Sequence, residues 1–358
     1  MNDLKQFLNI KKNIFKIVNM KKLTFGLLFC FVMCFTNGFV NAQSQSPIIV
    51  GYILNFNLSD PGDVDYLRAN DIINLFHLYP TDEGAWQVTP NLVEKYNKIR
   101  ELVRPEQEVF VVVGGGGFPS TPTHLMGNDP VLREAYAEGL VKFAHEHNFD
   151  GIDMDWETNW GATPAQRVPH DGYVDLMTRI KNKMNALPAN TRLKKLSCAL
   201  DGNQSESREL AAAVNHLVDI FNVMVYDAYG TQEEGYPHAP MRMFIAALEN
   251  FAAAGIPKNK IMGGVPFYGS DRSVRPARGG NYRRLYSEAL EAGTPLTPSM
   301  DSFNGVAFNG VDKIREKTEF VIKNGYGGLQ IWELSHDIPY TNEMSLLRTM
   351  RTTIDGAK

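Results

Sequence analysis

The chain has 358 residues, 44% of them apolar and 21% charged, which excludes a disordered chain and leaves ample material for a core. Its 36 basic and 40 acidic side chains give a net charge of −4. Beyond residue 42 the balance is 30 Lys and Arg against 39 Asp and Glu, a net −9, and an acidic body argues against nucleic acid and anionic membrane surfaces as partners.

At the amino end, Met20-Lys21-Lys22 is a short basic start. Leu23 to Phe35 is an almost uninterrupted apolar run, and Val40-Asn41-Ala42 ends on a small residue. That order reads as a secretory signal peptide (residues 1–42) cleaved after Ala42, with residues 1–19 an extended or misassigned start before Met20. Polar Thr36, Asn37 and Gly38 interrupt the run and argue against a membrane anchor. The expectation is a secreted or periplasmic protein, monomeric, with no membrane contact after cleavage. Cys30 and Cys34 leave with the signal, so Cys198 stands alone and no internal disulfide forms. Nothing suggests a metal cluster or a cofactor.

From Pro47 onward, short apolar runs alternate with segments of helical period. Strand candidates are 48–54, 72–79, 109–114, 149–156, 195–201, 219–227, 261–267 and 328–333. Three intervening stretches carry clear helical patterns. In 130–147, Leu132, Tyr136, Leu140 and Phe143 share a face, and Asn128-Asp129-Pro130 supplies a cap followed by a proline. In 170–187 the apolar face is Tyr173, Leu176, Met177 and Ile180; 311–324 stops at Asn324-Gly325. Eight strands, each followed by a helix candidate, fit a single α/β domain, a (β/α)8 TIM barrel over residues 43–358. An open doubly wound sheet fits less well, because no G-x-G-x-x-G turn follows an early strand with its acidic partner. The stretch 270–310, rich in Arg, Gly, Ser and Asn, reads as irregular and falls on the face where barrel enzymes build their sites.

The segment Phe149-Asp150-Gly151-Ile152-Asp153-Met154-Asp155-Trp156-Glu157 carries the chemistry. Strand alternation points Ile152, Met154 and Trp156 one way and Asp153, Asp155 and Glu157 the other. The apolar set suits the layer under the helices, so the carboxylates face the barrel interior. An acidic face left in water belongs to antiparallel or edge strands, not to a barrel strand covered on both sides. Burying three carboxylates together costs several kcal/mol, on the order of the penalty for unpaired buried charge, and folding alone gives no reason for it. Steps of roughly 6–7 Å per two residues make a ladder toward the C-terminal mouth. Glu157, uppermost, is the natural proton donor; Asp155 below it can raise its pKa and hydrogen-bond it; Asp153 can share a proton with Asp155. Asp150 lies on the other parity and has no catalytic role from alternation.

The run Asp150-x-x-Asp153-x-Asp155-x-Glu157 resembles the D-x-x-D-x-D-x-E signature of glycoside hydrolase family 18, the chitinases and endo-β-N-acetylglucosaminidases. Val50-Gly51-Tyr52 is similar to the family's first strand, and Met224-Val225-Tyr226-Asp227 to its M-x-Y-D motif on the sixth. Gly264-Val265-Pro266-Phe267-Tyr268-Gly269 and Gly328-Leu329-Gln330-Ile331-Trp332-Glu333 resemble its seventh and eighth. The resemblance implies a retaining, substrate-assisted glycosidase that needs no cofactor and acts on an oligo- or polysaccharide containing N-acetylglucosamine. Glu157 would protonate the glycosidic oxygen, and the acetamido oxygen of the −1 sugar would attack C1. Asp155 would orient that acetamido group, Tyr226 and Asp227 would hold it beside Met224, and Glu157 would then activate water. The same resemblance makes Trp332 the floor of the −1 subsite, with Tyr52, Phe76 and Tyr268 lining the site and Trp160 a neighbouring subsite; Trp86 either lines the site or packs.

The chain departs from the family at two places. Gly114 stands where S-x-G-G has Ser, and Ser270 where many relatives carry Arg, with Arg272 or Arg275 as replacements. The run Gly114 to Gly117 before Phe118 lacks the Lys-Ser or Lys-Thr of a phosphate loop. Only 42 positions lie between Tyr268 and Val311, too few for the extra α+β domain of many processive chitinases, so a shallower cleft is expected. Two alternatives stay open. One is an endo-β-N-acetylglucosaminidase acting on N-glycan chitobiose cores, although Trp156 before Glu157 looks more like chitinases. The other is a non-catalytic sugar-binding barrel, although such relatives typically lose the terminal Glu kept here.

Overall fold

The computed structural model describes residues 46–54, 63–116, 120–157, 169–227, 238–271, 283–291, 296–303 and 306–357. The expected signal peptide, Trp160, Arg272, Arg275 and Phe118 lie outside the described residues.

Eight parallel strands form the barrel: β1 Ile48–Ile53, β2 Ile72–Pro80, β3 Glu108–Gly114, β4 Gly151–Asp155, β5 Lys195–Asp201, β6 Ile220–Met224, β7 Ile261–Pro266 and β8 Gly328–Trp332. They neighbour one another in chain order, and β1 pairs with both β2 (Gly51↔Ile73) and β8 (Val50↔Gln330), which closes the sheet. A strand covered on both faces must be apolar on both, and β3 reads Glu-Val-Phe-Val-Val-Val-Gly for that reason. Alternation then sorts its side chains. Val109, Val111 and Val113 join the large core between sheet and helices, while Phe110 and Val112 join a smaller core inside the barrel with Val50, Tyr52, Phe76, Ala199 and Met224.

The helices follow their sequence signals. Helix Pro130–Glu146 starts where the Asp129 carboxylate accepts from the amides of Val131 (2.8 Å) and Leu132 (3.1 Å). Helix Val311–Asn324 ends on Gly325 in the left-handed conformation at φ 71°. Helix His170–Asn185 buries Tyr173, Leu176, Met177 and Ile180. Among the described residues, no helix is long and apolar enough to cross a membrane.

Three stretches differ from the sequence expectation. The fourth and sixth strands are shorter than 149–156 and 219–227, because the chain leaves the ladder after Asp155 and after Met224, and Asp227 takes φ 53°. Within 270–310 the chain is not simply irregular. Strands Tyr268–Asp271, Arg283–Leu285, Ser302–Phe303 and Val306–Ala307 form a small antiparallel sheet, joined by the short helix Tyr286–Glu291.

Asp150 acts structurally. Its carboxylate accepts from the Val109 amide (2.8 Å) and pairs with Arg100 (3.2 Å) and Arg192 (2.6 Å). That clamps the start of β4 to its neighbours, away from the carboxylate ladder.

Candidate active site

Strand β4 delivers its two faces as alternation requires. Ile152, Met154 and Trp156 pack in the outer core, Trp156 against Tyr173 with ring centroids 4.7 Å apart. Asp153 and Asp155 point inward and are buried, and Glu157, just beyond the last ladder residue, is partly exposed in the cleft above them.

Asp153 is fully buried, with three donors on its carboxylate. Tyr52 Oη donates to Oδ2 (2.6 Å), while Ser197 Oγ (2.5 Å) and Asn222 Nδ2 (3.0 Å) donate to Oδ1. Burial raises its pKa and those three bonds oppose the rise. Both oxygens are engaged by these neighbours, which anchors Asp153 beneath the site.

Asp155 is different. Its ladder partners are Gly114 on β3 and Ala199 on β5, neither of which has a side-chain donor, and among the described residues Asp155 Oδ1 is buried without a hydrogen-bond partner. Burial, then the Glu157 charge, then the Asp153 charge raise its pKa well above the ordinary carboxylate value. The glycines after β3 make this close approach feasible. A Cβ at Gly114 (φ 108°) would sit 2.0 Å from the Asp155 carbonyl oxygen, and one at Gly116 would sit 3.4 Å from Glu157 Oε2. No hydroxyl can therefore stand at position 114, and Ser197 on the other flank of β4 supplies one beneath the carboxylates instead.

A cleft of about 510 Å³ opens above these groups, lined by Tyr52, Phe76, Asp155, Glu157, Met224, Tyr226, Asp227 and Trp332, among others. Trp332 ends β8 and meets Phe76 edge-on at 5.0 Å and Tyr52 at 5.8 Å between centroids, giving an aromatic floor. The Phe76–His77 and Trp332–Glu333 peptides are cis. Beyond β6, burial raises the pKa of Tyr226, so it stays a neutral phenol. Gln330 Nε2 donates to its oxygen (2.9 Å), and the phenol's own proton has only a 3.4 Å contact to Gln330 Oε1, a weak alternative to an acceptor brought by a ligand.

A family profile described as Glycosyl hydrolases family 18 matches residues 48–337. The chain belongs to glycoside hydrolase family 18. Among relatives, it is 24% identical over 300 residues to Chitinase A1 of Niallia circulans, covering 68% of this chain and 42% of that protein. The chain spans less than two thirds of the length of the first curated relatives it matches. Among solved structures it is similar to the family 18 chitinase ChiB of Flavobacterium johnsoniae (TM-score 0.68, 22% identity, 88% of this chain and 96% of that one). It is also similar to a class V chitinase mutant of Nicotiana tobaccum in complex with NAG4 (TM-score 0.70, 16% identity, 86% and 99%). At these identities the structural likeness shows the fold, a family 18 barrel.

Within that family 18 cleft, one aromatic expectation changes and one left open is resolved. Tyr268 does not line the cleft. It is 1% exposed and stands behind Asp227, donating to its Oδ1 at 2.7 Å, because the chain turns at Asp227 and brings that carboxylate in front of the tyrosine. Trp86 packs. Its Nε1 donates to the Tyr136 carbonyl (2.8 Å) and its ring meets Tyr136 at 5.7 Å. Ser270, the second departure from the family, sits in the small antiparallel sheet paired with Arg283 and Ala307. Residues that the motifs did not single out also shape the site: Ser197 and Asn222 under Asp153, Gln330 on Tyr226, and His77 and Tyr79 in the cleft wall. Ser197 and Asn222 left a signal, since a polar residue at an inward position of a covered strand is unusual.

Proposed function

We propose that the protein is a secreted or periplasmic glycosidase that cleaves β-1,4-linked N-acetylglucosamine oligomers with retention, through the substrate's own acetamido group. The observation that carries this reading is the shared cleft: Glu157, Asp155, Tyr226, Asp227 and Trp332 all line it. A pyranose stacked on Trp332 presents its 2-substituent toward Asp155 and Tyr226. An acetamido group supplies what both lack: its N–H gives a donor to the unpartnered Asp155 Oδ1, and its oxygen gives an acceptor to the Tyr226 phenol. Held that way, the acetamido oxygen attacks C1 while Glu157 protonates the leaving oxygen. Asp155 stabilises the positive charge that develops on the oxazolinium nitrogen, and Glu157 then draws a proton from water that attacks C1 from the face the leaving group vacated, breaking the oxazolinium C1–O bond and restoring the acetamido group. A plain glucan lacks the nucleophile and should be a poor substrate. The complex of the Nicotiana tobaccum chitinase with NAG4 supports the substrate class. The retained Glu157 favours turnover over mere sugar binding.

The test is to incubate the protein with chitin oligomers and, separately, with an N-glycosylated protein, and read products by mass. Shortened N-acetylglucosamine oligomers support the proposal. Released mannose-bearing glycans with intact chitin oligomers indicate the endo-β-N-acetylglucosaminidase reading, and binding without products indicates a lectin.

A further inference from the structure

Lys317 is fully buried, and a lysine is seldom buried completely unless its charge is paired. Neither of its hydrogen-bond partners is a carboxylate. From helix Val311–Asn324 its Nζ donates to the Ala239 carbonyl (2.8 Å) and to Asn309 Oδ1 (2.5 Å), and it lies 5.0 Å above the Phe244 ring. An apolar side chain would fill that helix position without the cost of desolvating an amino group. Packing alone therefore gives no reason for a lysine there.

The amino group holds a strained turn. Ala239 takes φ 47°, a left-handed conformation that alanine keeps only where its surroundings impose it. Lys317 binds the Ala239 carbonyl, and Asn309 Nδ2 donates to the preceding carbonyl, that of His238 (2.6 Å). Two consecutive carbonyls are thereby fixed, one by the lysine and one by the amide that the lysine orients.

That turn sets the His238 ring against the back of the cleft. His238 Nδ1 lies 3.1 Å from the Tyr268 carbonyl, and because a carbonyl only accepts, this nitrogen carries the proton. The two rings stand 5.0 Å apart. His238 Nε2 is 3.9 Å from Asp227 Oδ1, the oxygen that also accepts from the Tyr268 hydroxyl at 2.7 Å. Asp227, on the cleft wall, is itself left-handed at φ 53°. Both ends of the contact leave the regular backbone, and each needs support from outside its own segment.

We propose that Lys317 is a positioning residue for the reaction: acting through Asn309, the turn at Ala239 and His238, it fixes the Asp227 carboxylate in the cleft. The proposal rests on the reading of that cleft as a hydrolase site. It extends the machinery to a helix that none of the strand motifs reaches.

The experiment uses the full chain with its aspartates isotope-labelled at the side-chain carboxyl, observed by NMR. The Asp227 signal is the one absent from Asp227→Asn. With no sugar present, Lys317→Met should move that signal. On chitotetraose the same variant should lose roughly tenfold in kcat per folded molecule, with KM within about twofold of the parent, as a small misplacement near the chemistry does. Added to Asp227→Asn, Lys317→Met should cost nothing further, because both changes act on one group. Asn309→Asp keeps an acceptor for Lys317 but removes the donor to the His238 carbonyl. It should move the same signal, and it carries the test if Lys317→Met does not fold. A lysine that only stabilises the fold would change the melting temperature and leave the Asp227 signal where it is. An unmoved signal, or kcat losses that multiply in the double variant, would overturn the positioning role. Absence of turnover by the parent would count against the hydrolase reading alone, since the carboxyl signal needs no substrate.

Discussion

The Tyr52 hydroxyl, on the first barrel strand, donates at 2.6 Å to the Asp153 carboxylate on the fourth, across the interior. That bond joins two elements separated by 101 positions in sequence and places the lowest acid of the ladder on a fixed support. Burial is the first cause of the raised Tyr52 pKa, followed by the Asp153 charge, so the phenol keeps the proton it donates. Everything above Asp153, namely Asp155, Glu157 and the cleft, stands on that support.

Removing the donor tests the support. Tyr52→Phe leaves Asp153 with Ser197 and Asn222 only, and should cost about 1.5–3 kcal/mol of stability, the range for a hydrogen bond to a charged group. Urea denaturation at neutral pH measures it. An unchanged midpoint would mean that the Tyr52 hydroxyl contributes nothing to the fold.

Asp155 should show a trade of stability against activity. An unfolded Asp titrates near 3.8, while burial and the Glu157 charge raise its pKa in the fold. The folded state therefore holds the proton to higher pH. Its favourable contribution is complete below 3.8 and is lost as pH rises through the folded value. Asp155→Asn cannot ionise, so it should be more stable than the parent at pH 7 by on the order of 1 kcal/mol. The difference should close as pH falls toward 4, and activity on chitin oligomers should fall sharply. Thermal unfolding at the two pH values checks the sign.

Tyr226 and Gln330 bear on the acetamido group in particular. Tyr226→Phe removes the phenol proton that we assign to the acetamido oxygen, and should lower kcat by roughly 100-fold, as loss of a pre-placed donor at a developing charge does. Gln330→Ala frees the phenol from its 2.9 Å partner and should have a smaller effect of the same kind. Steady-state kinetics on chitotetraose decide between this and a purely structural role, for which KM rather than kcat would move.

Lys317 offers a test of the fold's electrostatics away from the cleft. It is fully buried, donates to the Ala239 carbonyl (2.8 Å) and to Asn309 Oδ1 (2.5 Å), and lies over the Phe244 ring. Asn309 in turn donates to the His238 carbonyl (2.6 Å), so the network braces the segment beside Tyr268. Burial lowers the Lys317 pKa from 10.5 to about 7. The cost of the buried ammonium is full below about pH 7 and disappears as pH rises to 10.5. The parent should therefore gain stability relative to Lys317→Met between pH 7 and 9, by up to about 1.4 kcal/mol per unit. A constant difference across that range would contradict a desolvated ammonium.

Much of this site was legible in the residues because the relevant period is two. The nine-residue segment Phe149 to Glu157 showed by alternation which acids face inward, and the apolar set Ile152, Met154 and Trp156 showed the other face, although the strand itself is only Gly151–Asp155. Gly114 was legible as a departure from S-x-G-G but not as a necessity, since only the approach of the Asp155 carbonyl shows that no side chain fits there. Tyr268 was misplaced because the strand before Asp227 ends at Met224, and a motif does not show which of two neighbours comes forward. His77 was invisible to alternation because a bulge breaks the period at that residue. Ser197 and Asn222 were readable in principle, as polar inward residues on β5 and β6, but their common partner Asp153 exists only once the barrel closes.

The most direct measurement compares the parent with Glu157→Gln on chitotetraose, recording turnover and binding in the same preparation. With Glu157 as the group that protonates the leaving oxygen, the variant should lose about 10³-fold or more in kcat while binding the tetramer as tightly as the parent. Turnover within a few-fold of the parent, with binding intact, would remove Glu157 from the chemistry and contradict the account.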